Sequence, residues 1–211
     1  MNFERVLILS PHTDDGELAG GGTITRFVEE GKKIYLAVIC GSYENIIPKL
    51  YSNETLKTEC LHSAKTLGIS YEQLIYFNYE LRYFPSHRQE ILEDIVELKQ
   101  KIKPDLVLVP SSNDMHQDHH TIHQEAVRAF KKEASIWGYE HPWNNLGFTT
   151  DIFVKLDEKH VKKKIEALRC YKSQVDKSYF DERFIWSLAC SRGVQVNWPY
   201  AEAFELVRML F

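Results

Sequence analysis

The sequence contains no apolar run approaching the length of a membrane span, and its opening segment MNFERVLILS is cut off by Pro11 and His12 too soon to form a signal-peptide core. Positive charge is in short supply: 26 Lys and Arg face 30 Asp and Glu, a formal net charge of −4. No overall basic field is present to release counterions from a phosphate backbone or to hold an anionic membrane, so neither nucleic acid nor stable membrane insertion is expected. The one dense basic run, Lys162-Lys163-Lys164, falls in a helix-like segment and reads as a solvated face. Cysteine is scarce. Cys40, Cys60, Cys170 and Cys190 are widely spaced and three lie in apolar runs or on an apolar helix face, which predicts reduced, buried thiols. No internal repeat or low-complexity tract interrupts the chain. These absences describe a soluble, cytoplasmic protein.

What is present suffices for a core. With 211 residues, 44% hydrophobic and 12% aromatic, one domain over residues 1–211 is expected. Val6-Leu7-Ile8-Leu9 and Ile34 to Cys40 are short apolar runs of the kind buried on both faces of a parallel sheet, and Leu74 to Phe77 and Leu106-Val107-Leu108-Val109 are predicted as the third and fourth strands. Helical spacing separates them. A helix is predicted from Gly21 to Glu30 with Gly31 as its stop, and a loop with Gly41 and Pro48 follows the second strand. A second helix carries Leu56, Cys60, Ala64 and Leu67, capped by Ser52 or Asn53 and ended by Gly68. Ser86 and Gln89 form a capping-box pattern before Ile91, Ile95, Leu98 and Ile102, and Pro104 stops that helix. Beyond Ala134 the pattern predicts a strand over Ile152 to Leu156 and helices over Glu158 to Tyr171, Phe184 to Cys190 and Tyr200 to Met209. This alternation predicts an α/β fold: a Rossmann-like, mostly parallel sheet with helices on both faces.

The corner after the first strand reads Pro11-His12-Thr13-Asp14-Asp15-Gly16-Glu17. Three carboxylates there would repel a pyrophosphate, and Gly20-Gly21-Gly22 lacks the spacing of a dinucleotide-binding loop. The same residues suit a divalent cation, because an imidazole and a carboxylate three residues apart on a tight turn can converge on one ion. Alone the motif has a plainer reading, with His12 satisfying a carbonyl and Asp14 or Asp15 capping the next helix. A second cluster, Asp114 to His120, follows the fourth strand. In a 3-2-1-4 strand order the first and fourth strands flank the crevice where ligands bind, so both clusters meet there. Capping and solvation give no reason for that coincidence, and metal binding becomes the better reading.

With these residues in place, the sequence resembles the LmbE-like or PIG-L zinc-dependent N-deacetylases, which carry Pro-His-Pro-Asp-Asp near the N-terminus and His-x-Asp-His about a hundred residues later. The counterparts here are Pro11-His12-Thr13-Asp14-Asp15 and His116-Gln117-Asp118-His119. Lys103-Pro104-Asp105-Leu106-Val107, Ser173-Gln174 and Tyr200-Ala201-Glu202-Ala203-Phe204 extend the likeness over nearly the whole chain. The resemblance implies that His12, Asp15 and His119 hold Zn2+, with Fe2+ as the alternative in the cell. It implies Asp14 as general base, and His116, oriented by Asp118, as the group that stabilises the tetrahedral intermediate or protonates the leaving amine. Thr13 replaces the usual proline, and Lys57 stands in the segment where relatives often have a substrate-contacting arginine.

The resemblance further implies a substrate of the N-acetylglucosamine type in a glycoconjugate, glycolipid or polysaccharide precursor. Rival readings are an amidase of the same fold for an N-formyl sugar or thiol-conjugate amide, and a non-catalytic carbohydrate- or metal-binding module. Retention of Asp14 and His116 beside the ligands speaks against the module. Arg82, with Tyr83, His87 and Arg88, forms a loop at the metal end of the sheet suited to clasping a sugar or an anionic aglycone, though solvated loops of this kind are common. The aromatic stretch Trp137 to Asn144, with Trp143, suits stacking on pyranose faces or packing over a sheet edge. Glu202 is placed on an apolar C-terminal helix, paired with Arg192 or Arg208. A homo-oligomer is compatible with all of this.

Overall fold

In the computed structural model, which describes residues 3–42 and 52–210, the run Val6 to Leu9 is buried in β1 (Arg5–Ser10). Val6 and Ile8 enter one core and Leu7 and Leu9 the other, the alternation of a strand covered on both faces. β1 pairs in parallel with β2 (Lys33–Ser42) on one side and β4 (Leu106–Pro110) on the other. The sheet is completed by β3 (Leu74–Glu80), β5 (Ser135–Tyr139), β6 (Ile152–Leu156) and β7 (Tyr200–Arg208) in the order β3-β2-β1-β4-β5-β7-β6. The expected 3-2-1-4 core is present, and β7 runs antiparallel to both of its neighbours.

Helices cover both faces. α1 (Asp15–Glu29), α5 (Glu158–Leu168) and α6 (Glu182–Val194) supply Ile24, Phe27, Val161, Ile165, Ile185 and Ala189 to one core. α2 (Asn53–Thr66) adds Cys60 and Ala64 to the same side. α3 (Arg88–Ile102) and α4 (Gln117–Phe130) fill the opposite core with Ile91, Ile95, Leu98, Ile122 and Ala126. Ser52 caps α2 by accepting from the Thr55 amide, and Gly31 and Gly68 end their helices at positive φ, as expected.

Several expectations are corrected. α1 begins at Asp15 rather than Gly21, and the expected helix is its second half, set off by non-helical dihedrals at Gly20. That half has its own cap from far away in sequence: Glu202 accepts from the amides of Gly22 at 3.0 Å and Thr23 at 2.6 Å. A Cβ at Gly22 would stand 2.5 Å from Leu156 Cδ1, so the glycine permits the close approach of β6. Glu202 lies on β7, not on a helix, and its ion partner is Lys164 at 2.7 Å; Arg192 pairs with Glu140 instead. Lys162 and Lys163 are solvated as expected, whereas Lys164 is buried.

The Ala-, Glu- and Leu-rich C-terminal segment has helical propensity, but its slot between β5 and β6 supplies ladder partners on both sides, and tertiary context prevails. β5 escaped the sequence reading because Gly138 breaks its apolar run; a Cβ there would lie 2.7 Å from Glu205 Oε2 and 3.0 Å from Ser111 Cα. The capping box at Ser86 and Gln89 does not form: residues Phe84–His87 make a 3-10 turn and His87 precedes α3. α5 stops at Leu168, and α6 extends past both expected ends. None of the four cysteines is in a disulfide; Cys40 and Cys60 are buried, Cys170 is half-buried and Cys190 is exposed. Pro48 lies outside the described residues, and Gly41 lies within β2. No helix among the described residues is long and apolar enough to cross a membrane.

The Glu202 knot is testable. Glu202→Gln strands a buried ammonium, and an expected loss of about 3–5 kcal/mol follows, read as a lower denaturant midpoint at unchanged slope. Wild-type stability in this variant would show that Lys164 finds water.

Candidate metal centre and active site

The turn after β1 is built by short-range bonds. Ser10 Oγ accepts from the Gly16 amide and donates to the His12 carbonyl, both at 2.9 Å, closing the chain on itself. Asp14 sits at φ 85, a left-handed conformation that costs a non-glycine residue about 1–3 kcal/mol and that clusters at functional sites. Its side chain makes no capping bond to α1, so helix capping does not explain it. Asp15 turns its carboxylate back, accepting from the His12 amide at 2.8 Å.

The loop after β4 brings the second cluster to the same crevice. His12 Nδ1, His119 Nε2 and Asp15 Oδ2 form a nearly equilateral triangle: 3.2 Å between the two nitrogens, 3.2 Å from His12 to Asp15 and 3.3 Å from His119 to Asp15. A tetrahedral zinc with bonds of about 2.0–2.1 Å separates its ligand atoms by about 3.3 Å. The donor types and spacing therefore fit a divalent ion. His116 with His12 and His119, and His141 with Asp15 and His119, also form groups able to hold an ion.

Each imidazole of the triangle is held by a carboxylate on its far nitrogen. Asp114 Oδ2 lies 2.8 Å from His119 Nδ1, and Asp118 Oδ2 lies 3.0 Å from His12 Nε2. Such outer carboxylates fix the tautomer and raise ligand basicity. Asp118 is wholly buried and also accepts from the amides of Arg82 at 2.6 Å and Phe84 at 3.3 Å, tying the loop after β3 to the site. Burial disfavours the ionised form of Asp15, yet His119 and His12 outweigh it and hold the carboxyl well below its usual range. Burial likewise opposes the charged form of His119, but Asp15 and Asp114 raise it to about 10. Asp14 is displaced the other way, pushed well up by burial and by Asp15, with Lys177 countering.

His116 lies against both of these rings, with centroids 4.9 Å from His12 and 4.8 Å from His119. The sequence reading has the Asp118 carboxylate orienting His116; that carboxylate is on His12 instead. What reaches His116 is the Asp118 amide, donating to Nδ1 at 3.2 Å. Burial and the charges of His12 and His119 lower the His116 pKa to about 4, so at pH 7 its ring is neutral, with the proton on Nε2.

The residues singled out for substrate fare differently. Arg82 is exposed at the rim, at φ 74, anchored through its amide to Asp118. Lys57 points to Glu54 of its own helix at 3.8 Å. Trp143 has both faces covered, stacked on His141 at 4.8 Å and on Tyr179 at 4.1 Å, so it presents an edge rather than a stacking platform. Sequence reasoning left Asp114 without a role, passed over Lys177, and placed His141 in an aromatic loop. His141 lies two residues beyond β5, beside β4, and recognising that strand would have placed it at the crevice.

The profile of the family described as PIG-L, GlcNAc-PI de-N-acetylase, matches residues 7–130. A diacetylchitobiose deacetylase of Thermococcus kodakarensis is 25% identical over 233 residues, an alignment covering 100% of this chain and 85% of the relative. Among solved structures, the N,N'-diacetylchitobiose deacetylase of Pyrococcus horikoshii in complex with its inhibitor has a TM-score of 0.82 at 20% identity, covering 98% of this chain and 84% of that one. The 4-carboxy-2-hydroxymuconate hydratase of Pseudomonas putida matches at a TM-score of 0.77 and 19% identity, over 99% and 98% of the two chains. The profile match takes in both clusters and more than half of the 211 residues, and the chain belongs to the PIG-L (LmbE-like) family.

Proposed function

We propose that this protein is a zinc-dependent hydrolase that removes the acetyl group from an N-acetylated amino sugar of the N-acetylglucosamine type. The observation that carries the reading is the His12, Asp15 and His119 triangle, with Asp14 beside it and neutral His116 against its rings. The chemistry an ion supplies there is Lewis acidity towards the amide carbonyl and a lowered pKa for adjacent water. Asp14, whose raised pKa makes it the stronger base, takes the proton from the attacking water. His116 donates from Nε2 to the oxygen as negative charge develops on it, its Nδ1 being taken up by the Asp118 amide. Asp14 then passes its proton to the nitrogen as the carbon–nitrogen bond breaks, giving acetate and a free amine. Asp114 and Asp118 keep the two imidazoles aimed throughout.

Fold likeness does not choose the reaction, because a hydratase shares this fold; the family and the named deacetylase relatives favour the amide. The test is acetate release from N-acetylglucosamine derivatives. Activity is expected with zinc, loss of at least about 10²-fold with a chelator, and recovery on adding zinc back. Release that persists in a protein verified to be metal-free would refute the mechanism. Turnover of N-formyl but not N-acetyl substrates would move the assignment to the rival amidase.

A further inference from the structure

His141 is an imidazole that the proposed reaction leaves unused. Its ring is wholly buried, and Nε2 lies 3.1 Å from the Asp15 carbonyl oxygen, so that nitrogen carries a proton and donates. Nδ1 has no hydrogen-bond partner. It faces Asp114 Oδ2 at 3.7 Å and Asp15 Oδ1 at 3.9 Å. Both separations are too long for a hydrogen bond, yet two metal–ligand bonds of about 2.1 Å can bridge up to about 4.2 Å. With Nε2 committed to the Asp15 carbonyl, Nδ1 faces two carboxylate oxygens away from water. That arrangement is unfavourable unless positive charge lies among the three atoms. Asp15 has the oxygen to offer: Oδ2 faces His12 and His119, and Oδ1 faces His141.

We propose that His141 Nδ1, Asp15 Oδ1 and Asp114 Oδ2 form a second position for a divalent transition-metal ion, filled after the His12, Asp15 and His119 site and at higher metal concentration. The inference rests on that first site as read above. One imidazole and two carboxylates suit zinc or manganese. The spans of 3.7 and 3.9 Å exceed those of the first triangle, so this ion binds more weakly. Its occupation has a consequence for the first site. Asp114 Oδ2 is the same atom that holds His119 Nδ1 at 2.8 Å, so drawing it towards His141 loosens His119 and inhibits turnover at excess metal.

The experiment counts zinc per chain by atomic emission after equilibrium dialysis against a rising zinc concentration. The wild type is expected to hold one ion at low zinc and two at excess, and His141→Gln one at both. Cobalt(II) absorption gives a second readout, with the bands that appear on adding the second equivalent lost in His141→Gln. One ion per wild-type chain at saturating zinc overturns the proposal whether or not the variant folds, as does a second ion retained by a folded His141→Gln. Failure of the first-site reading looks different: His12→Ala, which leaves the second donor set intact, would then keep the tight ion.

Discussion

Asp14→Asn is expected to lower kcat about 10³-fold while the protein keeps its metal, since a positioned general base contributes about 10²–10⁴-fold. Asparagine is the informative replacement. Asp14 occupies a left-handed conformation that asparagine adopts and alanine resists, so the variant removes a charge and a proton acceptor without disturbing the turn that aims His12 and Asp15. The pH dependence follows from the sign of the shift. Burial and Asp15 raise the Asp14 pKa, so the active carboxylate is lost as pH falls through a value above the ordinary aspartate range. The wild-type kcat/KM profile therefore has an acidic limb displaced towards neutrality, and the residual rate of Asp14→Asn lacks it. Zinc content separates the two roles open to this residue: a variant that loses its ion makes Asp14 a ligand, and one that retains ion and rate makes it a bystander.

How far the sequence foretold this site depends on how local each contribution is. Three apolar runs became β1, β2 and β4 because a strand buried on both faces has a composition little else shares, the remaining one became the half-buried edge strand β3, and their order put the two clusters in one crevice. The convergence of His12, Asp15 and His119 was legible because the residue types and spacing that suit a metal ion are restrictive. The supports were not. Asp118 serves His12 rather than His116, a choice made by the way α4 begins after the β4 loop. His141 and Trp143 depend on β5, which Gly138 disguised, and Lys177 acts across space on Asp14 from a segment with no pattern of its own. Glu202 shows the same limit in the fold, since its contacts with Gly22, Thr23 and Lys164 exist only once β7 has entered the sheet.

His119→Ala is expected to abolish tight metal binding and activity together, because it removes one corner of the triangle and leaves two ligand atoms for the first ion. Its effect on proton release is the sharper test. In the ion-free protein, Asp15 and Asp114 raise the His119 pKa to about 10, so its ring is protonated at pH 7 and must give up that proton before Nε2 can bind an ion. Metal and proton thus compete, and wild-type affinity should rise as pH increases from neutrality towards 10. The same shift bears on stability: a pKa raised above the unfolded value near 6.5 stabilises the ion-free fold fully below that pH, and the contribution fades as pH rises through about 10. Zinc replaces it, since an ion at a hundred times its dissociation constant adds about 2.7 kcal/mol. Calorimetry of zinc binding in buffers of different ionisation enthalpy should show a proton leaving the wild type at pH 7. At zinc concentrations that fill only the tight site, thermal melting should show zinc raising the wild-type midpoint and leaving that of His119→Ala unmoved. A midpoint in the variant that depends on zinc at those concentrations would take His119 out of the ligand set.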